Sequence, residues 1–250
     1  MFASETDAGL SDSLRPNEVL SMKTAVSGSS AAAIAHGMNQ LGHPSIALEP
    51  SNAEFDLIDV MERSGTLGLV HIGADDSKVM LSYAEQCRDL GLEFSADPGT
   101  LEGADAAEFI DGAKFLVTSR DRYEFLQATT GMADDDILAA VRVRVTTEDT
   151  DGVEIAGHDM DRQRVPIARA REVIDPSGVP EAFRAGLLAG IGWGMPLRRA
   201  AEIGSQLAAL AAESVGAAAY TVNPAEFVHR LDESYGAACA AEASAYLLPE

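Results

Sequence analysis

LGLVHIGADDSKVMLSYAEQCRDLGLEFSADPGT, residues 67–100, decides the fold class. Residues 67–72 form a short, almost wholly apolar run that predicts a buried strand, ended by GADD. Residues 78–90 repeat apolar positions at helical spacing and are closed by Gly91, a helix-ending residue. Residues 92–95 predict a second strand, ended by ADPG. Strand, helix and strand in so few residues describe a parallel pair joined by a crossover helix.

The pattern continues to either side. Downstream, 106–111 reads as a helix turn and 115–118 (FLVT) as a strand. Residues 123–129 and 134–140 read as helices, the second opened by acidic residues that suit a helix N-terminus. Residues 141–146 alternate like a strand, 153–155 read as its hairpin neighbour, and 163–167 as a third short strand. Upstream, 31–41 reads as a small-residue helix stopped at Gly42, 43–48 as a short strand and 55–63 as a helix. After Asp175 the chain turns helical over 181–193, 196–214 and 224–247. Residues 1–18 read as a flexible arm, and 19–250 as a single α/β domain with a mostly parallel sheet between helical layers. In such sheets ligands bind beyond the carboxyl ends of the strands. Asp75, Asp76 and Asp97 are then expected at one crevice, beside Asp175 and Glu181 at a helix N-terminus.

Composition narrows the function classes. The 250 residues are 46% hydrophobic and 23% charged, as in ordinary globular domains, but 18 basic against 40 acidic residues leave a net charge of −22. Such a surface repels nucleic acid and anionic membranes, so neither is an expected partner. The N-terminus lacks the basic and apolar regions of a signal peptide, and no apolar run approaches the roughly 18 residues of a membrane helix. Cys87 and Cys239 form no metal or disulfide spacing, which suits a reducing cytoplasm.

Residues 175–190, DPSGVPEAFRAGLLAG, resemble the second signature of the ribokinase (PfkB) family, in which Asp-Thr/Pro-Thr-Gly-Ala/Val-Gly-Asp-Ala-Phe opens a small-residue helix. IGSQLAALAAESVGA (203–217), SYGAACAAEA (234–243) and HIGADDSKVMLSYAEQCRDLGLEFSADPGT (71–100) resemble actinobacterial adenosine kinases in particular. The resemblance implies a ribokinase-like three-layer α/β/α sandwich. It implies that the helix-opening turn forms an anion hole over a transferred phosphate and that the acidic residue after it removes a proton from the attacked hydroxyl.

This sequence departs from the pattern at several points. The turn reads Gly178-Val179-Pro180, and proline offers no N–H. Losing one anion-hole donor costs roughly 3–4 kcal/mol in a barrier. Glu181 stands where the family has Asp. Ser119 and Arg122 stand where the family's Asn-x-x-Glu organises Mg²⁺. Thr147-Glu148-Asp149-Thr150-Asp151-Gly152 replaces its Thr-x-Gly-x-x-Gly, so acidic side chains stand where nucleotide phosphates would lie. A like-charge pair about 4 Å apart costs about 1 kcal/mol in water and about 4 at surface-like dielectric. Residues 28–33 (GSSAAA) lack the Asn of the family's Gly-Gly-x-x-x-Asn. The family's first strand has no expected counterpart, and the lid expected between Gly65 and Leu67 is missing.

Glu181 and Asp175 are therefore the candidate acid/base residues. Asp75, Asp97, His71, Arg184 and Gly178 are the candidate substrate-binding residues, with Arg184 expected to pair with Glu181 one helical turn before it and His71 at the crevice mouth. His158, Asp159 and Asp161 fit a solvated turn rather than a metal site, so no metal site is expected. Three readings follow. In the first, a kinase-fold protein has lost ATP phosphotransfer and serves as a non-kinase enzyme or binder of a nucleoside- or sugar-like molecule, with no cofactor. In the second, it is a divergent kinase using ATP, Mg²⁺ and Glu181 as base. In the third, it is an interaction subunit. Loss of the lid would uncover a surface that a second copy could cover.

Overall fold

The computed structural model describes residues 22–48 and 56–248. The expected arm over 1–18 and the first residue of the expected helix at 55–63 lie outside these. The first described element is β1 (Lys23–Ser27), followed by α1 (Ala31–Gln40), β2 (Ser45–Leu48), α2 (Leu57–Ser64) and β3 (Leu67–Ile72). Then come α3 (Ser77–Leu90), β4 (Phe94–Ala96), α4 (Gly103–Ile110), β5 (Phe115–Ser119), α5 (Arg120–Thr130) and α6 (Asp134–Ala140). β6 (Val143–Thr147), β7 (Val153–Gly157) and β8 (Met160–Val165) complete the strands. Helices α7 (Val179–Gly192), α8 (Leu197–Ala212), α9 (Pro224–Tyr235) and α10 (Ala237–Leu247) close the described chain.

The strands form one 8-stranded sheet in the order β2-β1-β3-β4-β5-β6-β7-β8. From β2 through β6 neighbouring strands are parallel. β7 runs antiparallel to β6, as the expected hairpin requires, and β8 antiparallel to β7. Helices cover both faces. One apolar core gathers Ile34, Met38, Phe183, Leu187, Ile203, Leu207 and Phe227 from α1 and α7–α9. The other gathers Met80, Tyr83, Phe109, Leu126 and Ile137 from α3–α6. Helices α7 and α8 cross closely because a Cβ on Gly186 would stand 2.6 Å from Gly204 Cα. The three-layer α/β/α fold is thus as expected.

One strand was not foreseen and two expectations are corrected. The unforeseen strand is β1, which precedes α1 and lies in the interior of the sheet between β2 and β3. Its sequence KTAVS carries polar residues at buried positions, and distant groups satisfy them. Thr24 Oγ1 lies 3.0 Å from His43 Nε2, and the Ser27 hydroxyl donates to His71 O at 3.4 Å. The last helix is two helices, divided at Gly236 with φ +87°. The final strand starts earlier than 163 and ends at Val165, just before Pro166. Helix α2 ends at Gly65 and β3 begins at Leu67, so the chain does pass directly between those two elements.

Chain direction across the sheet reverses at β1. From β1 the chain crosses to β2 on one side, then returns to β3 on the other. This is the switch point at which open α/β sheets leave a crevice. Gly28 and Gly73 follow the two strands there, and their backbones touch: a Cβ on Gly28 would stand 2.7 Å from Gly73 C. Gly73 N–H donates to Ser27 O at 3.0 Å and Ser29 N–H to Ala74 O at 3.0 Å, which locks the two loops together.

Candidate functional site

The crevice wall opposite these loops is the start of α7. Gly178 takes the left-handed conformation, φ +85°, at its N-cap, and a Cβ there would meet Ala217 Cα at 2.4 Å. Only glycine fits that turn. Pro180 lies in the first turn, where its missing N–H breaks no helical hydrogen bond. Glu181 follows in the same turn, where the helix dipole favours an anion. Its Oε1 accepts the Ser30 hydroxyl at 3.0 Å, tying α7 to the N-cap of α1.

One turn further, Arg184 Nη2 donates to Asp97 Oδ2 at 2.5 Å. The two side chains are only 16% and 12% exposed, so the pair lies largely out of water. Asp97 Oδ1 also accepts Gly99 N–H at 3.2 Å, which sets the turn after β4. Arg184 therefore does not pair with Glu181 as expected. The loop after β4 places a second carboxylate in its reach, and Ser30 takes Glu181.

His71 is completely buried rather than at the crevice mouth. Its Nδ1 lies 3.2 Å from Ser95 Oγ on the neighbouring strand. Burial, aided by the Arg184 charge, lowers its pKa to about 3, so it is neutral at physiological pH. His71 Nε2, Arg184 Nε and the Tyr220 hydroxyl are buried without a hydrogen-bond partner among the described residues. Burial and the Glu181 charge push the Tyr220 phenol up to about 12. The crevice thus keeps unspent hydrogen-bonding capacity below its ion pair.

The structure brings Glu181, Ser30, Arg184, Asp97 and His71 to the carboxyl ends of β1, β3 and β4. Asp175 and Asp75 are engaged elsewhere. Asp175 is half-buried, and its two oxygens accept Ser177 N–H and Gly216 N–H, each at 2.9 Å. Hydrogen bonds from Ser177, then Gly216, hold its carboxyl below the usual range. It clasps the 174–177 turn to the loop after α8. Asp75 Oδ1 accepts Asp76 N–H at 2.8 Å, and Asp76 caps α3 through Lys78 N–H at 3.0 Å. Ser30 and Tyr220 went unnoticed as site residues in the sequence, because nothing near Ser30 announces a partner 151 positions away.

A second charged cluster lies at the same edge of the sheet, on β5–β8. Ser119 caps α5, accepting Arg122 N–H at 3.4 Å, while the Arg122 side chain is exposed. Glu148, just past β6, does not face solvent. Its side chain is 3% exposed, paired through Oε1 with Arg120 and through Oε2 with Arg164 at 3.4 Å. Of the three acidic residues in TEDTDG, only Asp149 and Asp151 present exposed charge. Asp149 has φ +43° in the intervening 3₁₀ turn.

Residues 54–224 match the pfkB family of carbohydrate kinases, and the chain belongs to that family. A nucleoside kinase from Methanocaldococcus jannaschii is 28% identical over 152 residues, 59% of this chain and 50% of its own length. The bifunctional protein HldE of Rhodospirillum rubrum is 30% identical over 189 residues, 69% of this chain and 36% of its own. The chain therefore spans half or less of the curated relatives it matches. The fold is shared with a Burkholderia thailandensis nucleoside kinase in complex with inosine: TM-score 0.76, 21% identity, covering 86% of this chain and 99% of that one. It is also shared with Arabidopsis thaliana ribokinase complexed with ribose and ATP: TM-score 0.68, 11% identity, 84% and 98% covered. No helix among the described residues is long and apolar enough to cross a membrane.

Proposed function

We propose that this PfkB-family chain binds a nucleoside- or sugar-like small molecule in the crevice between β1, β3, β4 and α7, and that it has lost phosphoryl transfer from ATP. It then serves as a binder or as an enzyme of another reaction. The resemblance of residues 71–100 and 203–217 to adenosine kinases favours a nucleoside. The carrying observation is that the charged groups a kinase would turn on its substrates are engaged by the protein itself. Glu181 holds Ser30, and Arg184 holds Asp97.

The residues present do not fit Mg-ATP. Pro180 removes an N–H from the turn that would face a phosphate. The Ser119 hydroxyl is used as a helix cap, and Asp149 and Asp151 add exposed negative charge beside β6. Titration of the full chain with Mg-ATP tests the reading: no heat up to millimolar nucleotide is expected, and micromolar binding overturns it.

One observation favours a second reading, an active kinase with Glu181 as general base. Gly178 keeps the left-handed turn and Glu181 keeps the first turn of α7. That reading predicts ATP-dependent phosphorylation of a nucleoside or sugar hydroxyl, abolished by Glu181→Gln.

A further inference from the structure

The end of the sheet opposite the crevice holds a cavity of about 660 Å³. It opens where the amino ends of β5 and β6 meet the turn between β7 and β8. Small-molecule sites commonly have volumes of about 300–1,000 Å³. Backbone contacts fix its floor. Gly112 N–H donates to Ala140 O at 3.0 Å and Arg142 N–H to Ala113 O at 3.1 Å, which ties together the links that lead into β5 and β6. Gly157 packs on the second link: a Cβ there would stand 2.9 Å from Arg142 O and 2.8 Å from Met160 Cγ.

The polar side chains of the lining are Arg142, ahead of β6, and His158 and Asp159, which form the two-residue turn between Gly157 and Met160. All three are exposed, and none has a side-chain hydrogen bond or an ion-pair partner among the described residues. Elsewhere this chain pairs its arginines readily: Arg144, Arg184 and Arg230 each hold a carboxylate. With 40 acidic residues against 18 basic, a cation here has carboxylates to choose from. Arg142 and Asp159 line one cavity and yet leave a positive and a negative group without protein partners.

The remaining lining complements these charges. Leu138 and Val141 are buried and Met160 is half-buried, so they form an apolar wall. Val141 N–H donates to Ile137 O, but the Arg142 and Val143 amides turn to Ala113 O and Lys114 O. The Leu138 and Ala139 carbonyls in the last turn of α6 therefore receive no amide from the residues that follow, and both residues line the cavity. A free anion approaching this site is repelled by the net charge of −22, whereas a molecule carrying one charge of each sign is not.

We propose that this cavity binds a small zwitterion with an apolar side chain, of the α-amino-acid class. Arg142 takes the carboxylate. Asp159 and the Leu138 and Ala139 carbonyls take the ammonium group, and Leu138, Val141 and Met160 meet the side chain. The site lies at the opposite end of the sheet from the Ser30–Glu181 contact and does not rest on the loss of phosphoryl transfer.

The test is an amide-resolved NMR titration of the full chain with L-methionine. Saturable shifts are expected at the Gly112, Arg142 and Gly157 amides. Arg142→Ala and Asp159→Asn are each expected to weaken binding about tenfold, the scale of one charge-assisted contact. N-acetylmethionine and methionine amide each lack one charge of the zwitterion and are expected to bind the native chain more weakly by a similar factor. No saturable shift at the three amides overturns the site, as does binding that neither substitution weakens. Equal affinity for the three ligands overturns the zwitterion reading, and this comparison needs no variant to fold. Micromolar Mg-ATP binding by the native chain would sink the proposed function and leave the methionine titration intact.

Discussion

Around α7, charged side chains are joined one to one: Glu181 to Ser30, Arg184 to Asp97. Across β6–β8 they are shared. Glu154 meets Arg144, Arg162 and Arg164, Asp134 meets Arg144 and Arg162, and Glu148 meets Arg120 and Arg164. Arg144, only 4% exposed, also lies 4.2 Å from the centre of the Tyr123 ring. A shared network holds strands in place because each charge touches more than one partner, so several contacts must break before one is free. A one-to-one pair can exchange its partner for a ligand; unpartnered buried nitrogens do not separate the two regions, since they occur at His71 and Arg184 in the crevice and at Arg144 in the network. The first arrangement suits a frame, the second a site.

Removing the hub of the shared network should have the largest effect. Glu154→Leu leaves buried Arg144 with Asp134 alone, at 3.5 Å, and is expected to cost about 4 kcal/mol in urea denaturation. A loss below about 1 kcal/mol would show the network redundant and break the contrast. In the crevice, Asp97→Ala strands a single, largely buried Arg184 and should cost about 3 kcal/mol, measured the same way.

Acid separates the buried crevice histidine from the exposed charges. His71 titrates near 3 in the folded chain and near 6.5 unfolded, so between these values the unfolded state binds more protons. Its contribution is complete above about pH 6.5 and is lost as pH falls toward 3. Between pH 7 and pH 5 this amounts to about 2 kcal/mol. His43, lowered to about 4 by burial, acts in the same direction. His71→Gln should remove its share of the slope in denaturation curves at the two pH values, and an unchanged slope would place His71 in contact with water. The smallest effect is expected at Ser30→Ala, which removes one hydroxyl from Glu181 and should cost about 1 kcal/mol. A much larger loss would mean that the Ser30–Glu181 contact belongs to the frame.

Much of the fold was legible because its signals are local. Gly91 ends α3 in a left-handed conformation and Gly178 begins α7 in another, and both are visible as glycines bounding apolar periodicity. The split at Gly236 had the same kind of signal, but the alanine-rich residues around it read as one helix. β1 was illegible because its buried polar residues look like a loop until His43 and the His71 carbonyl stand beside them. The sequence singled out Glu181, Asp97, Arg184 and His71 as candidates, but it did not show which partner each of them meets.

By itself, the sequence determined a strand–helix alternation, a glycine turn opening α7, a proline without an N–H in that turn, and a carboxylate beside it. These depend on residue type and on spacing within a few positions. Only the tertiary structure decided that Glu181 faces Ser30, that Arg184 turns to Asp97 87 positions earlier, and that Glu148 is enclosed by arginines. Charge pairing depends on distance in space and on exclusion of water. Both arise only when the sheet brings the ends of distant strands together.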